Sequence, residues 1–186
     1  MKVYFATTNR KKFEEAFKVA GKFKIRLEIA RVNAVEPQGE LNEIALSKAL
    51  QAFEKVKKPV VVEDSGLFIR ALKGFPGPYS SFVYRTIGCE GILKLMRGLR
   101  ERKAEFRCAA VYYDGAHKIE VLESVEGRIA EKVRGKGGFG FDPIFIPEGF
   151  SKTFAEAPEI KVKVSHRTRA LERLFSALQS LLHSSQ

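Results

Sequence analysis

Apolar positions recur along the chain with two periods. Residues 2–6 form a short apolar run that predicts a strand, and Phe13, Ala16, Phe17 and Ala20 then return at the spacing of a helix that Gly21 ends. Phe23, Ile25, Leu27 and Ile29 alternate with mostly charged neighbours, as in a strand with one wet face. An irregular stretch, residues 33–39, precedes a second helix whose stripe holds Leu41, Ile44, Ala45, Ala49, Ala52, Phe53 and Val56, with Lys48 outside it. Pro59 opens the run Val60-Val61-Val62, a buried strand expected to stop at Glu63-Asp64-Ser65-Gly66 and so deliver two carboxylates to its carboxyl end. Open α/β sheets place their sites at such ends.

Gly74-Phe75-Pro76-Gly77-Pro78 reads as a loop, and Ile92, Leu93, Leu95, Met96 and Leu99 as a helix after it. Residues 104–113 and 118–128 predict two long strands joined through an Asp114-Gly115 hairpin turn. A Gly-rich segment runs to Asp142 before Ile144-Phe145-Ile146, and from Ser165 a terminal helix is marked by Ala170, Leu171, Leu174, Phe175, Leu178, Leu181 and Leu182. With no internal repeat and no long linker, residues 1–186 read as a single α/β domain.

Composition narrows this further. A chain of 186 residues with 45% hydrophobic positions and two cysteines can bury a core without staples, which excludes disordered, collagenous and disulfide-scaffold classes. A formal charge of +11 favours anionic partners: nucleotides, nucleic acid or an acidic membrane face. No apolar run reaches the roughly 18 residues of a membrane span, and the first residues lack a signal-peptide core, so a cytoplasmic protein with no membrane partner is expected. Cys89 and Cys108 have no CxxC partner and no His cluster, which argues against zinc and against a redox pair.

Four constellations could carry chemistry. Thr7-Thr8-Asn9-Arg10-Lys11-Lys12 lies between a strand and a helix start, where unpaired amides, a positive dipole end and cations make a phosphate cradle. Helix capping by Thr8 or Asn9 with solvated lysines is the plainer alternative. Glu63-Asp64-Ser65-Gly66, with Glu36 as a distant partner, suits Mg²⁺, which takes one or two carboxylates plus phosphate oxygens; the plainer alternative is a solvated turn. Adjacent residues of an extended segment point opposite ways, so one of the two acids is expected to face a given pocket. Residues 135–140 match GxGxxG, but no helix follows and Pro143 interrupts, so the dinucleotide reading fails. Glycines there allow close approach and expose Phe139 or Phe141 to a planar ligand, unless the rings tuck into the core. Finally, Lys161-Val162-Lys163-Val164-Ser165-His166-Arg167 brings a basic alternation to a helix start capped by Ser165. His and Arg in a first turn oppose the helix dipole, a mismatch that an anionic or carbonyl-bearing ligand would explain.

Taken in order, Thr7-Thr8-Asn9-Arg10-Lys11-Lys12, Glu63-Asp64-Ser65-Gly66-Leu67, Gly74-Phe75-Pro76-Gly77, Gly138-Phe139-Gly140-Phe141-Asp142-Pro143 and Ser165-His166-Arg167 give the chain a likeness along nearly its whole length. It resembles the inosine triphosphate pyrophosphatases, the Ham1-like nucleoside triphosphate pyrophosphohydrolases. That resemblance implies an α/β fold with a long mixed β-sheet, flanking helices and two lobes around a deep nucleotide-binding cleft, in a homodimer. It implies Mg²⁺-dependent hydrolysis of ITP, dITP and XTP to monophosphate and pyrophosphate, cleansing the nucleotide pool. By position, Thr7, Thr8, Asn9, Arg10, Lys11 and Lys12 would hold the triphosphate and Glu36 and Asp64 the metal, while Asp64 would also activate water and Lys48, counted with it as catalytic, would contact substrate. Ser65 and Lys161 would contact substrate, Phe139, Gly140, Phe141 and Asp142 would line the base and sugar pocket, and Ser165, His166 and Arg167 would address the purine. Phe141 stands where many relatives have Tyr or Trp, and Val162 where a polar residue is common, which predicts altered affinity and not altered reaction.

Hypoxanthine and xanthine carry an acceptor at position 6 where adenine carries a donor, so pairing Arg167 or a backbone amide with that oxygen would penalise ATP. A Maf-like pyrophosphatase with another base preference is the nearest competing enzyme. A basic nucleic-acid-binding module is the competing class, although the cations are scattered and no RNP, KH or helix-turn-helix pattern is visible.

Overall fold

Strand β1 (Lys2–Ala6) has Val3 and Phe5 fully buried and pairs in parallel with β2 (Arg26–Ala30) on one side and β3 (Val60–Ile69) on the other. In this computed structural model, which describes residues 1–184, the later strands are β4 (Pro76–Gly77), β5 (Lys103–Tyr113), β6 (Lys118–Ile129) and β7 (Phe145–Pro147). The sheet runs β2-β1-β3-β5-β6-β7, with β4 antiparallel on β3 and β7 antiparallel on β6. The helices are α1 (Arg10–Lys22), α2 (Leu41–Val56), α3 (Ser80–Thr86), α4 (Gly88–Leu95), α5 (Pro158–Val164) and α6 (His166–Ser184). Among the described residues no helix is long and apolar enough to cross a membrane.

The chain divides into two compact units, each with its own core. The first comprises Met1–Asp64, Cys108–Glu123 and residues 167–184. Its core joins Val3, Phe5 and Val61 to Ala16 and Ala20 of α1 and to Leu171, Leu174, Phe175 and Leu178 of α6. Phe17, expected on the buried stripe of α1, is 57% exposed. It lies about 100° around the helix from Ala16, whereas Val19 and Ala20 fall on either side of that residue and take its place in the core. The strand expected from Phe23 begins only at Arg26, because Phe23 caps α1 through its N–H to the Ala20 and Gly21 carbonyls and Lys24 turns left-handed (φ 53°). Helix α2 starts with a reciprocal cap, Glu40 and Glu43 each bonding the other's backbone, and buries Leu41, Ile44, Ala45, Ala49 and Ala52. The expected hairpin joins β5 to β6: the Asp114 carboxylate accepts the N–H groups of Ala116 and His117, and Gly115 adopts φ 97°.

The second unit comprises Ser65–Arg107 and Ser124–His166. Leu67, Ile69, Val83, Ile92, Met96, Phe106, Ile129, Phe141, Phe145 and Phe154 form its core. Here the expected end of the valine strand is corrected. β3 runs on through the acids to Ile69, so Glu63 and Asp64 sit in mid-strand and Asp-Ser-Gly is not a turn. Gly66 is a strand residue of the kind that admits another backbone: a Cβ there would lie 2.3 Å from the Gly77 carbonyl oxygen. Ser80 ties this approach down, accepting the Leu67 N–H (2.8 Å) and donating to the Gly77 carbonyl (2.7 Å). The residues read as a plain loop thus hold β4, and α3 follows unforeseen. Helix α4 stops at Leu95, leaving Leu99 41% exposed outside it. The basic alternation at 161–164 is the helix α5, with Lys161 buried and Val162 exposed. Ser165, extended at φ −65° and ψ 154°, sits at the N-cap position of α6.

Candidate active site

In the first unit the start of α1 shows why the cap and the phosphate cradle could not be separated by sequence. Asn9 Oδ1 accepts the N–H groups of Lys11 (3.0 Å) and Lys12 (3.3 Å), and Thr7 Oγ1 accepts that of Asn9 (3.1 Å). These three amides are therefore engaged within the turn, and the cations and the dipole end are what it offers an anion. Thr8 lies in the same turn, Arg10 reaches Glu14 one helical turn on (3.1 Å), and Lys11 is exposed. Lys12 turns inward, its Nζ 2.8 Å from Glu63 Oε1 and 4.0 Å from Asp64 Oδ1.

The mid-strand position of the acids lets each serve a different neighbour. Asp64 meets Lys48, whose Nζ lies 3.6 Å from Asp64 Oδ1 and 2.7 Å from Glu36 Oε1. Lys48 lies off the apolar stripe of α2, as expected, and joins two carboxylates that are 28 positions apart in the chain. Glu63 meets Arg167 (Nε 3.3 Å), which also holds Glu15 (Nη1 2.5 Å). Glu15, Arg167, Glu63, Lys12, Asp64, Lys48 and Glu36 thus form one relay of alternating charge. Burial holds the Asp64 carboxyl above its ordinary range, against the pull of Lys12 and Lys48. Burial alone would lower Lys48, but Asp64 and Glu36 hold its ammonium above its usual value.

Glu15 and Glu63 are the residues that sequence reading missed. The first reads as one more charge on an amphipathic helix, and the second was set aside by the expectation that one acid of the pair would face the site. They also correct the argument from the start of α6. That helix has no acid in its first turn, but the unfavourable placement of Arg167 is compensated inside the protein by these two carboxylates, so it no longer calls for a ligand.

The donor set bears on magnesium. Lys48 already places one cation against both Asp64 and Glu36, and these are hard oxygen donors. Among the described residues no three His, Cys, Asp or Glu side chains form a metal cage. One or two carboxylates completed by phosphate oxygens and water is how Mg²⁺ is commonly held, so the residues fit it.

The second unit gathers a separate group. Lys161 Nζ lies 2.7 Å from Asp142 Oδ2 and 4.1 Å from the centre of the Phe139 ring, and the same Asp142 oxygen accepts the Phe139 N–H (2.8 Å). Gly138 is required, since a Cβ there would fall 2.1 Å from that carboxylate. Gly140 adopts φ 61°, and its carbonyl accepts from the Cys89 thiol (3.6 Å). Phe141 does not present a ring to a ligand. It is 3% exposed and meets Tyr84 edge to face at 5.4 Å, so of the two phenylalanines only Phe139 retains the role suggested for them. Ser65 is half-buried on β3, Ser165 is buried, and His166 stacks on Phe106 at 4.7 Å with 11° between the rings.

Comparison with known proteins gives the same answer from sequence and from structure. A dITP/XTP pyrophosphatase from Methanopyrus kandleri is 51% identical over 176 residues, 93% of this chain and 94% of that protein. Another, from Thermococcus kodakarensis, is 46% identical over 184 residues, 98% and 100% of the two chains. A solved HAM1 protein from Coxiella burnetii superimposes with a TM-score of 0.86 at 28% identity, covering 97% of this chain and 99% of its own. The model of the Ham1 family matches residues 3–177, and with likeness of this extent the chain belongs to that family.

Proposed function

We propose that the protein is a nucleoside triphosphate pyrophosphatase that hydrolyses dITP, XTP and ITP to the monophosphate and pyrophosphate. The observation that carries this reading is Asp64, a buried carboxylate between Lys12 and Lys48, in a chain about half identical throughout to relatives called dITP/XTP pyrophosphatases. A triphosphate brings several negative charges, and Lys12 and Lys48 supply cations that stay near the buried carboxylate as it changes protonation. A carboxyl held above its ordinary range is a stronger base than a free one, so Asp64 takes the proton of the water that attacks the α-phosphorus. Mg²⁺, held by Asp64 and Glu36, would screen phosphate charge and acidify water. Arg167, although already held by Glu15 and Glu63, is assigned the purine O6 by its place in the Ser165-His166-Arg167 motif, and adenine, with a donor at that position, would leave a buried donor unpaired. A homodimeric assembly belongs to the same proposal, and sedimentation tests it.

The deciding assay measures pyrophosphate released from dITP, XTP, ITP, GTP and ATP, with Mg²⁺ and with EDTA, for the parent and Asp64→Asn. We expect turnover of the first three to exceed that of GTP and ATP, to vanish with EDTA, and to fall by about 10²-fold or more in the variant. In labelled water the label should enter the monophosphate. Label in pyrophosphate, or equal turnover of all five, defeats the proposal.

A further inference from the structure

The Glu63 side chain has no exposed surface, and its oxygens lie against two cations and a thiol. Oε1 lies 2.8 Å from Lys12 Nζ and 3.3 Å from Arg167 Nε, while Oε2 accepts from the Cys108 thiol at 3.4 Å. One carboxylate oxygen is therefore shared by cations from two helices, α1 and α6. A charge so deeply buried is unfavourable unless paired, and a paired one adds little stability over an apolar replacement, so what a shared oxygen contributes is geometry. Lys12 and Arg167 are like charges, and the carboxylate oxygen that both approach offsets their repulsion.

We infer that Glu63 is a positioning residue that couples Lys12 to Arg167. The inference rests on the proposed function, in which Lys12 addresses the triphosphate and Arg167 the purine. Anything that draws Lys12 towards phosphate weakens its hold on Oε1 and strengthens that of Arg167, so phosphate capture and base reading cease to be independent. Glu63 itself has no exposed surface and so acts through these cations and not by touching substrate.

The test compares kcat/KM for dITP and dATP in the parent, Glu63→Gln and Cys108→Ala, and measures binding of inorganic tripolyphosphate by calorimetry without metal. Glu63→Gln should lower the preference for dITP over dATP by about tenfold or more, because Arg167 keeps Glu15 but loses the carboxylate it shares with Lys12. Cys108→Ala, which opens the same spot, should lower Tm and leave that preference as in the parent. Glu63→Gln should also change tripolyphosphate affinity, and the change should disappear when Lys12 is already Met. Equal losses on both nucleotides, or a change in tripolyphosphate affinity that persists in the Lys12→Met background, overturns the inference. Should Glu63→Gln not fold, Glu63→Asp keeps the charge but is one methylene too short to hold both cations, and the same loss of preference is expected. If the parent hydrolyses neither nucleotide, the proposed function fails by itself, while the tripolyphosphate cycle still decides whether Glu63 acts through Lys12.

Discussion

The Lys161–Asp142 pair is the clearest place where one side chain in the second unit determines the state of another. Both are almost completely buried, at 6% and 3% side-chain exposure, and 2.7 Å apart. Removing one partner of such a pair leaves an uncompensated charge and typically costs about 3–5 kcal/mol, whereas removing both charges is far milder. Lys161→Met should therefore lower unfolding free energy in urea by about that amount, and adding Asp142→Asn should restore most of it. A loss below about 1 kcal/mol would mean that the pair is relaxed by water. The same residues show what could be read in advance. Lys12, Lys48 and Asp64 were legible because a cation or an acid off the apolar stripe, or at a strand's expected end, stands out against its surroundings. Glu63 was not, since its role depends on Arg167, 104 positions away in the chain. Phe141 carried the same glycine-flanked signal as Phe139, and only packing against Tyr84 separates a core ring from a presented one.

At the scale of elements, strand β3 shows where periodicity gives out. Val60, Val61 and Val62 announce a buried strand, but Asp64-Ser65-Gly66 has the composition of a turn, and nothing local reveals that the backbone of β4 lies alongside. The hairpin of β5 and β6 was legible for the opposite reason: its turn chemistry, Asp114 accepting two N–H groups ahead of a left-handed Gly115, is local. Two glycines test the distinction. Gly66→Ala would set a methyl 2.3 Å from the Gly77 carbonyl oxygen and should destabilise the protein by about 1–3 kcal/mol as β4 is displaced. Gly21→Ala, in the last turns of α1 with nothing within 4 Å of the new carbon, should instead stabilise it by about 0.4–1 kcal/mol. Denaturant titrations of the two variants should move in opposite directions, and a neutral Gly66→Ala would mean that the β3–β4 approach is not rigid.

For the whole molecule, the first of the four places where the chain passes between the two units falls between Asp64 and Ser65, inside β3, where no Gly/Pro-rich linker marks it in the sequence. The net charge of +11, by contrast, is fully legible and acts over distances that no single contact reaches. A triphosphate of about −4 approaching such a surface is steered by a field whose range shrinks from roughly 30 Å at 0.01 M salt to about 8 Å at 0.15 M. Ion pairs formed by buried groups such as Asp64 are screened much less. Raising NaCl across that interval at fixed Mg²⁺ should therefore lower kcat/KM for dITP several-fold while leaving kcat unchanged, because capture is steered and chemistry is not. The same titration separates an enzyme from a nucleic-acid binder. A protein that neutralised a run of phosphates would release counterions in proportion, and its oligonucleotide affinity would fall by orders of magnitude over a few-fold rise in salt. Scattered cations, three of them already tied into the relay from Glu15 to Glu36, should give only weak oligonucleotide binding at 0.15 M. Tight binding with a steep slope there, together with a kcat/KM indifferent to salt, would place the charge in the service of a polymer instead of a nucleotide.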